Sequence, residues 1–275
     1  LDAVNIIDAD AALITGIDID HQDWLGNDRE TIGREKAGIL RKQQQAVFAG
    51  SDLPVSVISH AQKVGTKLLI AGQNYQVVKQ ENSWDFVSAS GNRNALPVPA
   101  LRGQHQLENA AGVVALLMAC REHLPLSNEA IRSGLLNARI KGRFQVLQKT
   151  FPVIVDVAHN QQSMQALCNN LSGFVVKGKL HVIIGMLRDK DILNSLRPLA
   201  SIADSWHLVT TQGERGLSSR RLSEILSVLI EGQPVFLYEK VAEAYDSVLQ
   251  YGEIEDSILV TGSFLIAGQF LEMDS

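Results

Sequence analysis

The residues best suited to chemistry gather first between positions 15 and 39. There Thr15-Gly16-Ile17-Asp18-Ile19-Asp20-His21-Gln22-Asp23-Trp24-Leu25-Gly26 precedes Gly33-Arg34-Glu35-Lys36-Ala37-Gly38-Ile39. An apolar run over 11–17 reads as a buried strand that ends in a burst of acids and one histidine. In parallel α/β sheets, ligands bind at the carboxyl ends of strands. Hard oxygen ligands and an imidazole at that edge suit a metal–phosphate site. Three later segments also end strands. Asp156-Val157-Ala158-His159-Asn160 offers an acid, an imidazole and an amide, while Gly185-Met186-Leu187-Arg188-Asp189-Lys190-Asp191 and Thr261-Gly262-Ser263-Phe264 close two further strands. Asp189 and Ser263 are equally natural helix N-caps. Arg143 in Lys141-Gly142-Arg143-Phe144-Gln145 stands where one pattern gives way to another, and an arginine there can grip phosphate oxygens with two prongs.

The elements that must position these groups alternate between strand and helix. A helix from Asn27 as N-cap, with Glu30 as its capping-box partner, runs to about Ala37. A strand over 46–49 and a helix over 54–64 follow. Between 67 and 101 short segments separated by Gly72, Asn82 and Gly91 predict an antiparallel meander. Helices are expected over 107–123 and 128–138. After a hinge at 141–149, strands at 153–157, 180–184, 206–210 and 258–261 alternate with helices at 163–171, 192–203, 219–229 and 264–271. Repeated βα units of this length imply a parallel sheet covered on both faces. The expected organisation is one domain over 1–145 and a Rossmann-like, doubly wound domain over 146–275.

Composition narrows the function classes. Hydrophobic residues make up 45% and charged residues 20% of the 275 positions, which is ordinary for a globular protein. A net charge of −5 argues against a nucleic-acid surface, which needs a concentrated basic footprint. Cys120 and Cys168 lie in apolar helical stretches and are read as buried thiols in a reducing cytosol. The longest apolar run, 110–120, is too short to span a bilayer, and no secretory signal opens the sequence. The expectation is a cytoplasmic monomer that binds small molecules and engages neither nucleic acid nor membrane.

The motifs resemble the ATP-dependent amide ligases that add glutamate to folates, the bacterial folylpolyglutamate synthases in their bifunctional form with dihydrofolate synthase, within the Mur ligase-like superfamily. Asp20-His21-Gln22-Asp23-Trp24-Leu25-Gly26, Gly33-Arg34-Glu35-Lys36-Ala37-Gly38, Gly142-Arg143-Phe144-Gln145 and Asp156-Val157-Ala158-His159-Asn160 carry the likeness. It implies that His21 binds Mg2+ and that Lys36 is carbamylated, supplying an anion for a second Mg2+ or its water shell. Only a neutral amine reacts with CO2, so such a site must lower the lysine's pKa. Asp18, Asp20 and Asp23 fall to supporting or capping roles, since Mg2+ takes few protein ligands. The resemblance further implies that Leu1, Asp2 and Ala3 contribute to a pteroate pocket and that Asn109 contacts adenine beside the small Ala110 and Ala111. Arg143 and Asp156 would hold ATP, His159 would lie near the reacting groups, and Asp189 and Ser263 would serve the incoming amino acid. Lys141 stands where the family has proline, and Gln161 does likewise after Asn160.

The implied fold is α/β: part of a P-loop-type Mur ligase central domain, then the Rossmann-like domain. The implied reaction phosphorylates a carboxylate on dihydropteroate or a folate, and the amine of L-glutamate then displaces phosphate. Domain closure would keep water from the acyl phosphate. No Gly-x-x-x-x-Gly-Lys-Ser/Thr loop occurs in these residues, and in the family it precedes the segment matching Leu1. The sequence also opens without methionine. Missing upstream residues, and a fragment inactive by itself, are therefore expected. Alternatives are folylpolyglutamate synthase activity alone, a Mur-type peptidoglycan ligase, or a binding module that only senses nucleotide or folate. A dinucleotide oxidoreductase is disfavoured, because no Gly-x-Gly-x-x-Gly follows a strand.

Overall fold

Short strands buried on both faces build two sandwiches of helix, sheet and helix. The computed structural model describes residues 3–17, 28–174 and 176–273. It divides into two compact units, Leu1–Ala100 with Gln104–Ala138, and Leu101–Gly103 with Arg139–Ser275.

In the first unit, β1 (Ala11–Ile14), β2 (Gln45–Phe48) and β3 (Lys67–Ile70) form a parallel sheet in that order. Side chains two apart share a face. Ala12, Ile14, Ala46 and Phe48 therefore join Ile32 and Val57 from α1 (Arg29–Ala37) and α2 (Val55–Val64). Val47 points the other way, into a cluster with Val114 and Met118 of α3 (Gln104–Ala119). That cluster extends to Tyr75, Trp84, Phe86 and Leu96 of an antiparallel meander, β4 (Tyr75–Lys79), β5 (Ser83–Ser88) and β6 (Arg93–Pro97). The helix α4 (Asn128–Asn137) is capped by Ser127. Gly112 lets α3 lie close on the sheet, because a Cβ there would stand 2.5 Å from Ala49 Cβ.

Two expectations need correction here. The segment Lys67–Ile70 is not part of the meander but the third strand of the parallel sheet, paired Ala46↔Leu68 with β2. A four-residue apolar strand next to a glycine looks the same in either setting, and only the partner distinguishes them. The helix α1 is capped by Asp28, whose carboxylate accepts from Thr31 N at 2.9 Å. Glu30 serves the next helix instead, accepting from Val55 N at 3.0 Å and Ser56 N at 2.7 Å.

The second unit is built on β7 (Gln145–Gln148), β8 (Pro152–Val155), β9 (Leu180–Ile184), β10 (Ser205–Val209), β11 (Val235–Tyr238) and β12 (Ser257–Thr261). The order is β11-β10-β9-β12-β8-β7, parallel throughout except for the antiparallel pair β7–β8. One face packs Ile154, Val182, Trp206 and Leu259 under α5 (Gln161–Ser172), α6 (Ile192–Ala200) and α7 (Ser219–Leu226). The opposite face packs Val155, Ile183, Val209 and Val260 under α8 (Val241–Tyr251) and α9 (Phe264–Met273). Helices on both faces make the unit doubly wound.

The stretch expected as a hinge, 141–149, contains β7, a strand of this sheet. The elements β11 and α8 lie where no strand or helix is anticipated from the sequence. Among the described residues, no helix is long and apolar enough to cross a membrane.

Candidate functional site

Chemistry-bearing residues of the second unit collect at the carboxyl edge of its parallel strands. Asp156 follows β8 directly. Its Oδ2 accepts from Phe144 N and its Oδ1 from Ala158 N, both at 2.8 Å. Val157 N donates to Gly142 O at 2.9 Å, so the turn before β7 is sewn to the end of β8. The turn needs unusual backbone: Gly142 has φ +69° and Phe144 has φ +44°. A side chain at Gly142 would also meet Val157 Cγ1 at 2.8 Å. Positive φ is unfavourable for phenylalanine, and two forces hold it: the carboxylate of Asp156 and burial of its ring. Between these anchors Arg143 is exposed. The pattern suits a ligand with anionic oxygens at the arginine and hydroxyls at the carboxylate.

His159 is half-buried beside this turn. Its Nδ1 lies 2.8 Å from Val157 O, and a carbonyl only accepts, so Nδ1 carries the hydrogen. Nε2 of the neutral ring is then the acceptor. Asn160 caps α5 through Ser163 N at 2.8 Å, which fixes the segment's exit. Phe264, at the start of α9, is exposed, and its ring centroid is 5.8 Å from that of His159. Ser263 is buried and accepts from Ile266 N at 3.2 Å, an N-cap bond.

The loop after β9 departs from the expected pattern. Asp191, not Asp189, caps α6, accepting from Asn194 N at 3.3 Å. Asp189 faces Arg215 of the loop after β10, with Nε to Oδ1 at 3.0 Å and a second contact from Nη2 to Oδ2. That two-pronged hydrogen bond holds the Asp189 carboxyl below its usual range. Arg215 is a residue that sequence reasoning missed. Its only signal was its place in Gln212-Gly213-Glu214-Arg215-Gly216, immediately past a strand.

In the first unit, Lys36 lies exposed in the last turn of α1. Asn109 sits in the second turn of α3 rather than at its start, with Nδ2 3.4 Å from Gln106 Oε1. Ala111 is fully buried in the α3–sheet core, so its small size serves packing. Ala3 begins a 3-10 turn, Ala3–Ile6. Arg41 clasps that turn, donating to Asn5 Oδ1 at 2.8 Å and Asn5 O at 3.1 Å and pairing with Asp8. Leu1, Asp2, Asp18, Asp20, His21 and Asp23 lie outside the described residues. Among the described residues, no group of three or more His, Cys, Asp or Glu side chains could hold a metal ion.

A second polar cluster lies at the opposite, amino-terminal edge of the same sheet. His181 contacts Asp256 Oδ2 at 3.0 Å and Ser205 Oγ at 2.7 Å, and Ser205 Oγ lies 3.2 Å from His207 Nε2. His207 is buried, its Nδ1 has no partner, and its ring stacks on Phe236 and Tyr238. Burial and the neighbouring His181 push its pKa down to about 4.

The family described as Mur ligase, glutamate ligase domain matches residues 142–264, the span that carries the edge described above. The dihydrofolate synthase/folylpolyglutamate synthase of Escherichia coli K12 is 37% identical over 273 residues, covering 99% of this chain and 62% of that protein. Residues 142–264 thus match the glutamate ligase domain, and the chain along nearly its whole length is similar to that relative. Among solved structures, that of E. coli FolC in complex with DHPP and ADP matches with a TM-score of 0.88 at 37% identity, covering 100% of this chain and 63% of that one. A bifunctional folylpolyglutamate synthase/dihydrofolate synthase with Mn, AMPPNP and L-glutamate bound matches with a TM-score of 0.85 at 37% identity, covering 100% and 64%. The chain thus spans less than two thirds of the length of these relatives.

Proposed function

We propose that this chain serves an ATP-dependent ligase that joins L-glutamate to dihydropteroate and to folates. The observation that carries the reading is the turn holding Arg143 outward while Asp156 is fixed beneath it at the end of β8. Phosphoryl transfer is mainly a matter of positioning and charge neutralisation, and an arginine on a backbone-anchored turn beside a strand-end carboxylate would serve both. In this reading Arg143 takes phosphate oxygens of ATP, Asp156 contacts the ribose and Asn109 contacts the adenine. The acceptor's carboxylate oxygen attacks the γ-phosphorus and ADP leaves. The amine of L-glutamate then attacks the carbonyl carbon, loses a proton, and phosphate departs. In this reading His159 takes that proton. Asp189 and Ser263 belong to the amino-acid side of the site. His21 and a carbamylated Lys36 are the proposed magnesium ligands, and Leu1, Asp2 and Ala3 the pteroate contacts, on the resemblance alone. The protein would work as a cytoplasmic monomer.

The test assays the protein carrying this chain, at its natural length, with ATP, Mg2+, labelled L-glutamate and either dihydropteroate or tetrahydrofolate. Glutamylated product, with one ADP per amide bond, is expected from both acceptors. Arg143→Ala should lower kcat/KM by about 100-fold or more, in line with the loss of a charged group acting on a transferring phosphoryl. Product with a UDP-muramyl acceptor and none with folates would move the protein to the peptidoglycan branch.

A further inference from the structure

Resting on the proposed function, we infer that Asp189 is a positioning residue that acts through Arg215, clasping the loops after β9 and β10 into one rigid rim for the incoming amino acid. Two strand-end loops lying side by side in a parallel sheet have no ladder bonds beyond their strands, so side chains must hold them. Four contacts do so here. Arg215 grips Asp189 with two donors, and Arg188 N donates to Arg215 O at 3.1 Å. Thr211 Oγ1 donates to Met186 O at 2.8 Å and accepts from Leu217 N at 2.8 Å. Thr211 is buried, and the hydroxyl thus joins the end of one loop to both ends of the other. Gly216 is pressed against that threonine, because a Cβ there would stand 2.3 Å from Thr211 O.

Arg215 and Asp189 sit at the outer limit of this clasp, where the threonine cannot reach. A forked guanidinium–carboxylate pair fixes direction as well as distance, which a lysine in place of the arginine could not do. Its ion pair is partly exposed, with side chains 53% and 27% accessible, so little of the fold's stability depends on it. Geometry is what the pair supplies. Arg188 and Lys190 belong to the same loop, and a dicarboxylate amino acid is the class of substrate that cations attract. Asp189 therefore contributes to glutamate recognition without touching glutamate.

The test uses the natural-length protein and measures KM for L-glutamate and for ATP separately. Asp189→Asn and Arg215→Lys should each raise KM for L-glutamate about tenfold with KM for ATP within about twofold, and both variants should melt close to wild type. The exchange Asp189→Arg with Arg215→Asp should recover part of the loss, since it rebuilds the pair in reverse. Unchanged glutamate KM in active single variants would overturn the inference, as would an equal rise in both KM values. A wild-type protein that adds no glutamate to any folate acceptor would instead overturn the proposed function, which keeps the two failures distinct.

Discussion

Asp156 shows how a carboxylate proposed to hold a ligand can also be scaffold. Its two oxygens accept from Phe144 N and Ala158 N, which ties the turn before β7 to the end of β8. Asp156→Ala would strand two backbone donors and release a phenylalanine from positive φ. A loss of about 1–3 kcal/mol is expected, read as a lower denaturation midpoint at unchanged m-value, along with weaker nucleotide binding. Asp156→Asn keeps one acceptor oxygen and should recover part of the stability but not of the binding. The sequence marked this residue as a candidate ligand group because an acid directly after a strand is a strong signal. It did not show the structural half of the role, since Phe144 N lies 12 positions away and only the β7–β8 pairing brings it near. Asp189 illustrates the converse: its type and place were readable, but its partner Arg215, 26 positions on, was not.

Helices and strands were readable where periodicity was long and boundaries had caps. The series from β8 to α7 follows the expected order because each helix has an apolar stripe of several turns. Short strands were less readable. Residues 145–148 read Gln-Val-Leu-Gln and 235–238 read Val-Phe-Leu-Tyr, and four residues hold too little pattern to choose between strand and linker. Caps taken from the nearest acid also failed at Glu30 and Asp189, because a free carboxylate can serve a neighbouring element as readily as its own. The contact between α3 and its sheet gives a test at this scale. Gly112→Val would drive a branched side chain into Ala49 and Leu13, and overpacking of that kind lowers stability by about 1–3 kcal/mol, measurable by chemical denaturation.

At the scale of the molecule, the buried histidine chain ties folding to pH. His207 is held neutral, its pKa falling from 6.5 to about 4 on folding. A group whose folded pKa is depressed favours the unfolded state as it protonates. Its contribution is therefore intact above pH 6.5 and drains away as pH falls toward 4. The shift corresponds to about 3 kcal/mol at its acid limit. Thermal midpoints measured between pH 7.5 and 4.5 should fall steadily below pH 6.5. His207→Phe, which stacks with Phe236 and Tyr238 but cannot take a proton, should flatten that slope. A wild-type midpoint constant down to pH 4.5 would contradict this account.

The reversed direction of β7 has a consequence for how the polypeptide tolerates change in length. Because Gln145 pairs with Val155 and Gln148 with Pro152, the chain arrives at the carboxyl edge of the parallel strands and only then turns back into the sheet. Deleting one residue from the tight connection at 149–151 would slide this hairpin by one position, about 3.4 Å along the strand, and invert which side chains face inward. Arg143 would be carried off its mark although every residue around it remained in place. Insertions and deletions should thus be absorbed elsewhere on the surface far more readily than in this three-residue bend.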